Sequence, residues 1–190
     1  MKAVFGLGNP GPAYALTRHN VGFEVVDLYR KVHRLRRKGR IEQSALVYSA
    51  RDLLLVKPMT FMNDSGAAVR GVLSKHGIGP EDAMVVYDDL DLPLGRIKIL
   101  GAGGSGTHKG IGSIVQTLGT ERIPRLKIGI EADARTAVGR DFVLDRFTPD
   151  EWARVVPALE RAVEAIDLFR RADLDAVMTR FNRRDDAVVA

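Results

Sequence analysis

The apolar residues of this chain follow two different spacings, which predict alternating strands and helices over residues 1–130. Short apolar or alternating runs, typical of β-strands, occupy positions 2–5, 46–50, 53–56, 83–87, 96–100 and 125–130. Apolar side chains recur at helical spacing from Val21 to Leu35, and shorter helical runs occupy positions 67–73 and 114–118. We expect the strands at 46–50 and 53–56 to form a hairpin, and the first helix to end by Gly39.

The C-terminal third of the chain is predicted to be helical. Thr148-Pro149-Asp150-Glu151 combines a capping box with a proline at the first helical position, and apolar residues then recur at helical spacing up to Phe169. A shorter helix is expected at 174–181, before a charged tail whose last few residues we expect to be disordered. Residues 1–190 therefore predict a single α/β domain with a central mixed β-sheet flanked by helices.

The composition excludes several classes of protein. Without cysteine the chain has no disulfide, no thiol nucleophile and no cysteine-bound zinc, which suits a reducing compartment. No apolar run approaches the roughly 20 residues that a membrane-spanning helix requires. We therefore expect a cytoplasmic protein without a membrane partner, and nothing in the sequence requires more than a monomer.

The net charge of +5 comes from one short segment. Between Arg30 and Arg40 the chain carries seven positive charges and no acidic residue, so the rest of the chain is slightly acidic. Such a cluster attracts phosphate backbones through a salt-sensitive, sequence-independent attraction. The alternative is a solvated helix end, where cations are also favoured.

The N-terminal stretch holds the side chains best suited to catalysis. The predicted strand at 2–5 runs into Gly6-Leu7-Gly8-Asn9-Pro10-Gly11, and Thr17-Arg18-His19-Asn20 stands just ahead of the first helix. An imidazole ordinarily titrates near neutral pH, which makes His19 a candidate general base. A purely structural histidine is the alternative, and His33, His76 and His108 are competing candidates. Their wide spacing, without an HExxH pattern, argues against a zinc site.

A catalytic histidine commonly needs a carboxylate partner, and Asp88, Asp89 and Asp91 directly follow the apolar strand at 83–87. Asp88 comes first and is expected to point along the sheet edge towards His19. The alternatives are that these acids only cap the following turn, or that they bind magnesium. Asn9 and Asn63 stand at separate strand-to-helix turns, where a carboxamide could hold a substrate carbonyl or a water, or could serve only the turn.

Two glycine-rich segments resemble nucleotide-binding motifs only superficially. The stretch from Gly101 to Gly110 could wrap a phosphate or an extended chain, but its Lys109 is not followed by Ser or Thr as in a P-loop. The first segment matches GxGxxG, but Pro10 and the long turn before the helix argue against dinucleotide binding. Neither segment therefore predicts a nucleotide-binding site.

Several motifs, in order along the chain, resemble bacterial peptidyl-tRNA hydrolase. They are Gly6-Leu7-Gly8-Asn9-Pro10-Gly11, Tyr14, Thr17-Arg18-His19-Asn20-Val21-Gly22-Phe23, Lys57-Pro58-Met59-Thr60-Phe61-Met62-Asn63-Asp64-Ser65-Gly66 and Asp88-Asp89-Leu90-Asp91-Leu92-Pro93-Leu94-Gly95. With the glycine-rich loop and the strand that begins at Arg125, the resemblance covers roughly residues 1–130.

The resemblance implies hydrolysis of the ester between a peptide and tRNA, without a metal or an organic cofactor. It implies that His19 is the general base, that Asp88 orients it, and that Asn9 and Asn63 place the peptide, the water and the oxyanion. The implied substrate-binding and tRNA-binding residues are Tyr14, Asn20, Phe61, Met62, His108, Lys109, Arg125 and Lys127. The glycine-rich loop and the C-terminal helices would border the active-site channel.

Three positions depart from the family pattern, all on the implied tRNA side. Lys109 stands where asparagine is usual, Lys127 where arginine is common, and Leu100 where a basic residue is usual. Lysine keeps the charge at 127 but loses the bidentate guanidinium. These departures leave open a non-catalytic RNA-binding partner as the alternative function. A nucleotide-binding enzyme is a third class, which the missing phosphate-loop motif disfavours.

Overall fold

The computed structural model describes residues 1–131 and 140–183. Its strands are β1 (Lys2–Gly6), β2 (Arg40–Glu42), β3 (Ala45–Ala50), β4 (Leu53–Pro58), β5 (Ala83–Pro93), β6 (Ile97–Leu100) and β7 (Arg125–Glu131). They form one mixed sheet in the order β2-β3-β4-β1-β5-β7-β6. The four central strands, from β4 to β7 in that order, are parallel, whereas β2, β3 and β6 pair in the antiparallel sense.

The helices pack on both faces of this sheet. They are α1 (Val21–Val32), α2 (Ser65–His76), α3 (Lys109–Leu118), α4 (Arg140–Leu144), α5 (Pro149–Arg171) and α6 (Leu174–Phe181). The buried residues of α1, α5 and α6 form a core on one face, and those of α2 and α3 form a second core on the other. Along the described residues, no helix combines the length and the apolar character needed to cross a membrane.

The predicted α/β architecture with a mixed sheet is confirmed, and the differences lie in the bounds of its elements. The capping box of Thr148 and Glu151 is formed as predicted, and α5 continues through Pro157. By contrast, α1 ends well before Gly39, because Arg34 adopts a left-handed backbone with φ of 51°. The short edge strand β2 was not predicted. The tail at 184–190, expected to be disordered, lies outside the described residues.

A close backbone contact places the start of α1 against the middle of the sheet. A Cβ atom added to Gly22 would lie 2.4 Å from the amide nitrogen of Leu7 and 2.4 Å from the carbonyl oxygen of Val86. One added to Gly6 would lie 2.1 Å from the carbonyl oxygen of Gly22. No side chain fits these spaces, so the two glycines allow α1 to begin directly above β1 and β5. The turn that carries His19 is therefore fixed relative to both strands.

We predict that Gly22→Ala destabilises the protein by about 3 kcal/mol, because its methyl group would push α1 away from the backbone of β1 and β5. Gly112→Ala is the matched control, since a Cβ at that position meets only an ordinary contact at 3.8 Å. This substitution also replaces a glycine within α3 by a better helix former, so it should not lower the stability. Urea unfolding of both variants tests this. Equal stability of the two variants would contradict it.

Candidate active site

The sequence-predicted catalytic residues gather around one cleft at the carboxyl ends of the parallel strands. The cleft has a volume of about 920 Å³. The turn after β1 supplies Asn9, the 3-10 turn Arg18–Asn20 supplies His19, the turn after β4 supplies Asn63, and β5 supplies Asp88. Four residues that are far apart in the chain meet because β1, β4 and β5 are parallel neighbours, whose carboxyl ends share one sheet edge.

His19 and Asp88 form the central pair. The Nδ1 atom of His19 lies 2.8 and 2.9 Å from the two carboxylate oxygens of Asp88. The carboxylate is only 2% exposed, although it lies at the edge of the cleft. Because an ionised carboxylate can only accept hydrogen bonds, Nδ1 of His19 carries the proton and Nε2 keeps its lone pair.

His108 is a second imidazole on the same carboxylate. Its Nε2 atom lies 3.1 Å from Oδ1 of Asp88, while its Nδ1 atom accepts a hydrogen bond of 3.2 Å from the backbone N–H of Ile111. The accepting nitrogen cannot carry a proton, so Nε2 is the N–H of this ring and donates to Asp88. The side chain of His108 thus both caps α3 and donates a hydrogen bond to Asp88.

These two imidazoles decide the charge of Asp88. Burial by itself would raise the pKa of this carboxyl, but the attraction and hydrogen bonds of His108 and His19 outweigh it and hold the pKa well below its usual range. Asp88 therefore stays ionised at every pH at which the protein is expected to work. A permanent negative charge next to His19 favours the imidazolium that forms when His19 accepts a proton.

The side chain of Asn9 is oriented by the backbone of the turn that follows β4, the neighbour of β1 in the sheet. Its Oδ1 atom accepts a hydrogen bond of 2.9 Å from the N–H of Met62. This contact identifies the oxygen end of the carboxamide, so the Nδ2 amino group is the end left for the cleft that Asn9 lines. Asn9 therefore offers donors, not an acceptor, to a molecule in the cleft.

The side chain of Asn20 holds the backbone of Asn9 by two hydrogen bonds. It accepts a hydrogen bond of 2.8 Å from the backbone N–H of Asn9 and donates one of 3.0 Å to its carbonyl oxygen. Asn20 is buried, and the described lining of the cleft does not include it. In this structure both ends of its carboxamide are bonded to the backbone of Asn9, so Asn20 is placed to support the turn.

Arg125 also lies elsewhere than expected for a tRNA-binding residue. It is 1% exposed, and its guanidinium donates to the carbonyl oxygens of Gly103 and Gly104 under the glycine-rich loop. These bonds hold the loop against β7. An arginine committed to two carbonyls in the interior cannot reach a phosphate, so the structure assigns it a supporting position.

The other expected binding residues lie in or under the cleft rim. Tyr14 and the exposed Phe61 meet edge to face at a centroid separation of 6.4 Å, and Met62 is buried beneath them.

Lys127 bonds Asp89 at 2.5 Å. Partial burial opposes the charge of Lys127, but this bond outweighs it and raises the pKa of the lysine. Lys109 is exposed on the rim and has no ion pair among residues 1–131 and 140–183.

The turn that carries His19 is anchored by residues that the sequence analysis did not single out as functional. Arg18 is buried and forms two bonds to the carboxylate of Glu151, at 2.9 and 2.7 Å, and one to the carbonyl oxygen of Arg146. Burial opposes the charge of Glu151, but Arg18 outweighs it and lowers the pKa of this carboxyl. The capping-box spacing pointed to Glu151, yet its partner 133 residues away leaves no local signal.

Of the C-terminal helices, the short α4 borders the cleft. Val143 and Leu144 of α4 line it, whereas the described residues of α5 and α6 pack on the face of the sheet. The helices predicted at the C-terminus correspond to α5 and α6, whose described residues do not line the cleft, whereas α4 was not predicted. The long helix contributes indirectly, through Glu151 in its first turn.

One group of side chains in the described ranges has the composition of a metal site. The ligand atoms of His19, Asp88 and His108 all lie within 4.8 Å of one another. In the observed hydrogen bonds, however, both nitrogens that face Asp88 carry protons. Metal binding here would require both rings to give up those protons, and His108 to lose its bond to Ile111. The donor set therefore fits a proton-sharing cluster better than a resident ion.

Comparisons with known proteins identify the family to which this chain belongs. The family model described as peptidyl-tRNA hydrolase matches residues 3–188. The chain is 42% identical over 190 residues to the peptidyl-tRNA hydrolase of Aquifex aeolicus, covering 97% of this chain and 98% of that protein. It is 45% identical over 188 residues to the one from Moorella thermoacetica, covering 94% and 96%. The chain belongs to the peptidyl-tRNA hydrolase family.

Solved structures of family members share the fold over nearly the whole chain. The Arg119Gln mutant of the peptidyl-tRNA hydrolase from Acinetobacter baumannii superposes with a TM-score of 0.86 at 30% identity, covering 96% of this chain and 94% of that one. The unmodified enzyme from the same organism gives a TM-score of 0.85 at 28% identity, with the same coverage.

We predict that Asn20→Ala lowers the free energy of unfolding by about 2 kcal/mol, because it leaves the buried N–H and carbonyl of Asn9 without partners. Asn63→Ala is the matched control, since Asn63 is exposed and has no hydrogen bond among the described residues. Chemical denaturation measures both. Equal loss in the two variants would show that the Asn20 bonds do not support the turn.

Proposed function

We propose that this chain hydrolyses the ester between a peptide and its tRNA, with His19 as the general base and Asp88 as its orienting partner. The observation that carries the proposal is the bond from Nδ1 of His19 to a carboxylate that stays ionised, which reserves Nε2 for a water molecule. Family membership supports the reaction, because an ester hydrolase of peptidyl-tRNA needs a base of this kind at neutral pH.

The reaction follows from these positions. Nε2 of His19 takes a proton from water as the water oxygen attacks the ester carbonyl carbon, which gives a tetrahedral oxyanion. The intermediate collapses, the bond to the ribose oxygen breaks, and His19 returns the proton to that oxygen. The products are a peptide with a free carboxyl group and a tRNA with a free hydroxyl, so the base is regenerated in each turnover.

Asn9 and Asn63 are proposed to bind the oxygen atoms of the reacting ester. The Nδ2 group of Asn9 is the donor left by its bond to Met62, and it suits an oxygen on which negative charge develops. Asn63 is exposed and lines the same cleft, so it can place the water or the peptide carbonyl. Both act by hydrogen bonding, which tolerates any peptide side chain.

His108 is proposed to act as a positioning residue through Asp88, instead of as a direct tRNA contact. Its N–H takes part of the negative charge of the carboxylate that also serves His19. His108 thereby moderates the attraction of Asp88 for the proton on His19. The glycine-rich loop, which ends at His108, is coupled to the catalytic pair by the same bond.

The remaining contacts are assigned by their place on the rim. Tyr14 and Phe61, with Met62 beneath them, are proposed to form an apolar wall for the peptide. Lys109 and Lys127 are proposed to hold the acceptor end of the tRNA through its phosphates. We further propose that the protein acts as a cytoplasmic monomer without a cofactor, in keeping with its lack of cysteine.

A non-catalytic RNA-binding partner is the second candidate. The observation that favours it is the cation of Lys109 on the cleft rim, where the family pattern has a neutral carboxamide. An oriented imidazole has no use in a pure binding protein, so the arrangement of His19 and Asp88 favours the enzyme.

We predict that purified protein releases the blocked amino acid from N-blocked aminoacyl-tRNA in the presence of EDTA, and that His19→Ala and Asp88→Asn each lower kcat/KM at least about 100-fold. Loss of the base, or of the charge that orients it, removes proton transfer but not tRNA binding. Release of product measured by acid precipitation, with tRNA affinity measured in parallel, tests this. Wild-type binding of tRNA without any turnover would establish the second candidate instead.

We predict that His108→Asn moves the acidic limb of the kcat/KM profile to higher pH. Asparagine keeps an acceptor for the N–H of Ile111 at the start of α3, but it is too short to donate to Asp88. The full charge of Asp88 then acts on His19 and favours its imidazolium form, so a higher pH is needed to free the base. Unfolding by denaturant provides the control. An unmoved limb, with stability retained, would contradict the positioning role.

A further inference from the structure

The basic segment of the sequence forms part of a second cleft, at the opposite end of α1 from the active site. This cleft has a volume of about 610 Å³ and lies between the C-terminal end of α1, the turn that joins β3 to β4, and the last turn of α5. Half of its lining residues are arginines: Arg34, Arg36, Arg37, Arg51 and Arg170. We call it the arginine cleft. The 12 residues of α1 separate it from His19 by about 18 Å.

Most of the positive charge in the arginine cleft is uncompensated. The neighbouring carboxylates compensate only one of the five arginines: Asp52 pairs with Arg170, and Asp167 bonds Tyr29 and His33. No residue within 1–131 or 140–183 forms an ion pair with Arg34, Arg36, Arg37 or Arg51. Four guanidinium groups without counter-charges in one concavity repel one another, which a bound polyanion would relieve.

Two of the arginines that line the cleft have a left-handed backbone conformation. Arg34 and Arg51 both have φ of 51°, in the left-handed region that side chains other than glycine rarely adopt. Arg34 lies two residues beyond the end of α1, and Arg51 stands in the turn between β3 and β4. The two positions thus bring their side chains to the same cleft from separate turns.

We propose that the arginine cleft binds the phosphate backbone of the tRNA body, at a distance from the ester. The proposal rests on the proposed function, since a peptidyl-tRNA whose ester lies at His19 places its phosphate backbone along the surface of the protein. Every cation that lines the cleft is an arginine, whose planar fork matches phosphate oxygens in pairs. The rings of Tyr29 and His33, stacked at 4.2 Å, form part of the same wall. A concave arginine-lined groove suits a phosphate ridge better than the flat surface of a membrane.

The test compares a full substrate with one that lacks the tRNA body. The double variant Arg36→Glu/Arg37→Glu reverses two exposed, unpaired charges, and Arg70→Glu is the control, an exposed arginine of α2 on the opposite face of the sheet. Each is assayed on N-blocked aminoacyl-tRNA and on the same blocked ester carried by a CCA trinucleotide. We expect kcat/KM for the tRNA substrate to fall about tenfold in the double variant alone, while the trinucleotide substrate is hydrolysed at the wild-type rate.

Salt dependence and direct binding complete the test. The slope of log affinity for uncharged tRNA against log salt should become less steep by roughly one to two in the double variant. Unchanged affinity and slope, or an equal loss on the trinucleotide substrate, would overturn the proposal. So would a loss of binding to phosphatidylserine vesicles with tRNA binding intact. If the wild type hydrolyses neither substrate, the proposed function fails, and the tRNA-binding measurement still decides the role of the arginine cleft.

Discussion

A buried carboxylate is the element on which the arrangement of this protein depends. Asp88 lies inside the sheet edge with little access to water, and such a charge is tolerated only where hydrogen bonds replace hydration. The two partners that satisfy it come from the turn before α1 and from the first residue before α3. The catalytic pair and the glycine-rich loop are therefore joined at one pair of oxygen atoms. The glycines under α1 make this possible, because they let its first turn sit directly on the strands.

Much of this could be predicted from the sequence, because the relevant signals are local. Apolar periodicity located every strand except β2, whose three half-exposed or exposed residues have no apolar pattern. The partnership of His19 with Asp88 was expected on chemical grounds, since an imidazole base needs a carboxylate, with Asp88 directly after a predicted strand and His19 just ahead of the first predicted helix. The roles of Asn20 and Arg125 rested on the resemblance to the family alone, and no local signal indicated the contacts that the structure gives them. Their residue types suit substrate binding, but only the fold reveals that backbone groups already use their donors and acceptors.

Residues distant in sequence explain the other differences. Glu151 was expected to cap a helix, and it does, but its carboxylate also pairs with Arg18 across the molecule. Nothing near position 18 in the chain indicates this contact. The sequence left the seven-charge segment open between a solvated helix end and a phosphate site, and the phosphate site remains a proposal. Its surroundings favour that proposal, because the hairpin turn adds Arg51 to the same concavity and only Arg170 there has an acidic partner among the described residues.

The pairing of Arg18 with Glu151 has a consequence for how this protein loses activity. The end turns of a helix fray more easily than its middle, and here the first turn of α5 carries Glu151, whose carboxylate binds Arg18, the neighbour of the proposed base His19. Warming that loosens the start of α5 would misplace His19 while the sheet and both cores stay intact. Catalysis should thus fade over a lower temperature range than secondary structure, and an activity assay would sense early loosening that circular dichroism does not detect.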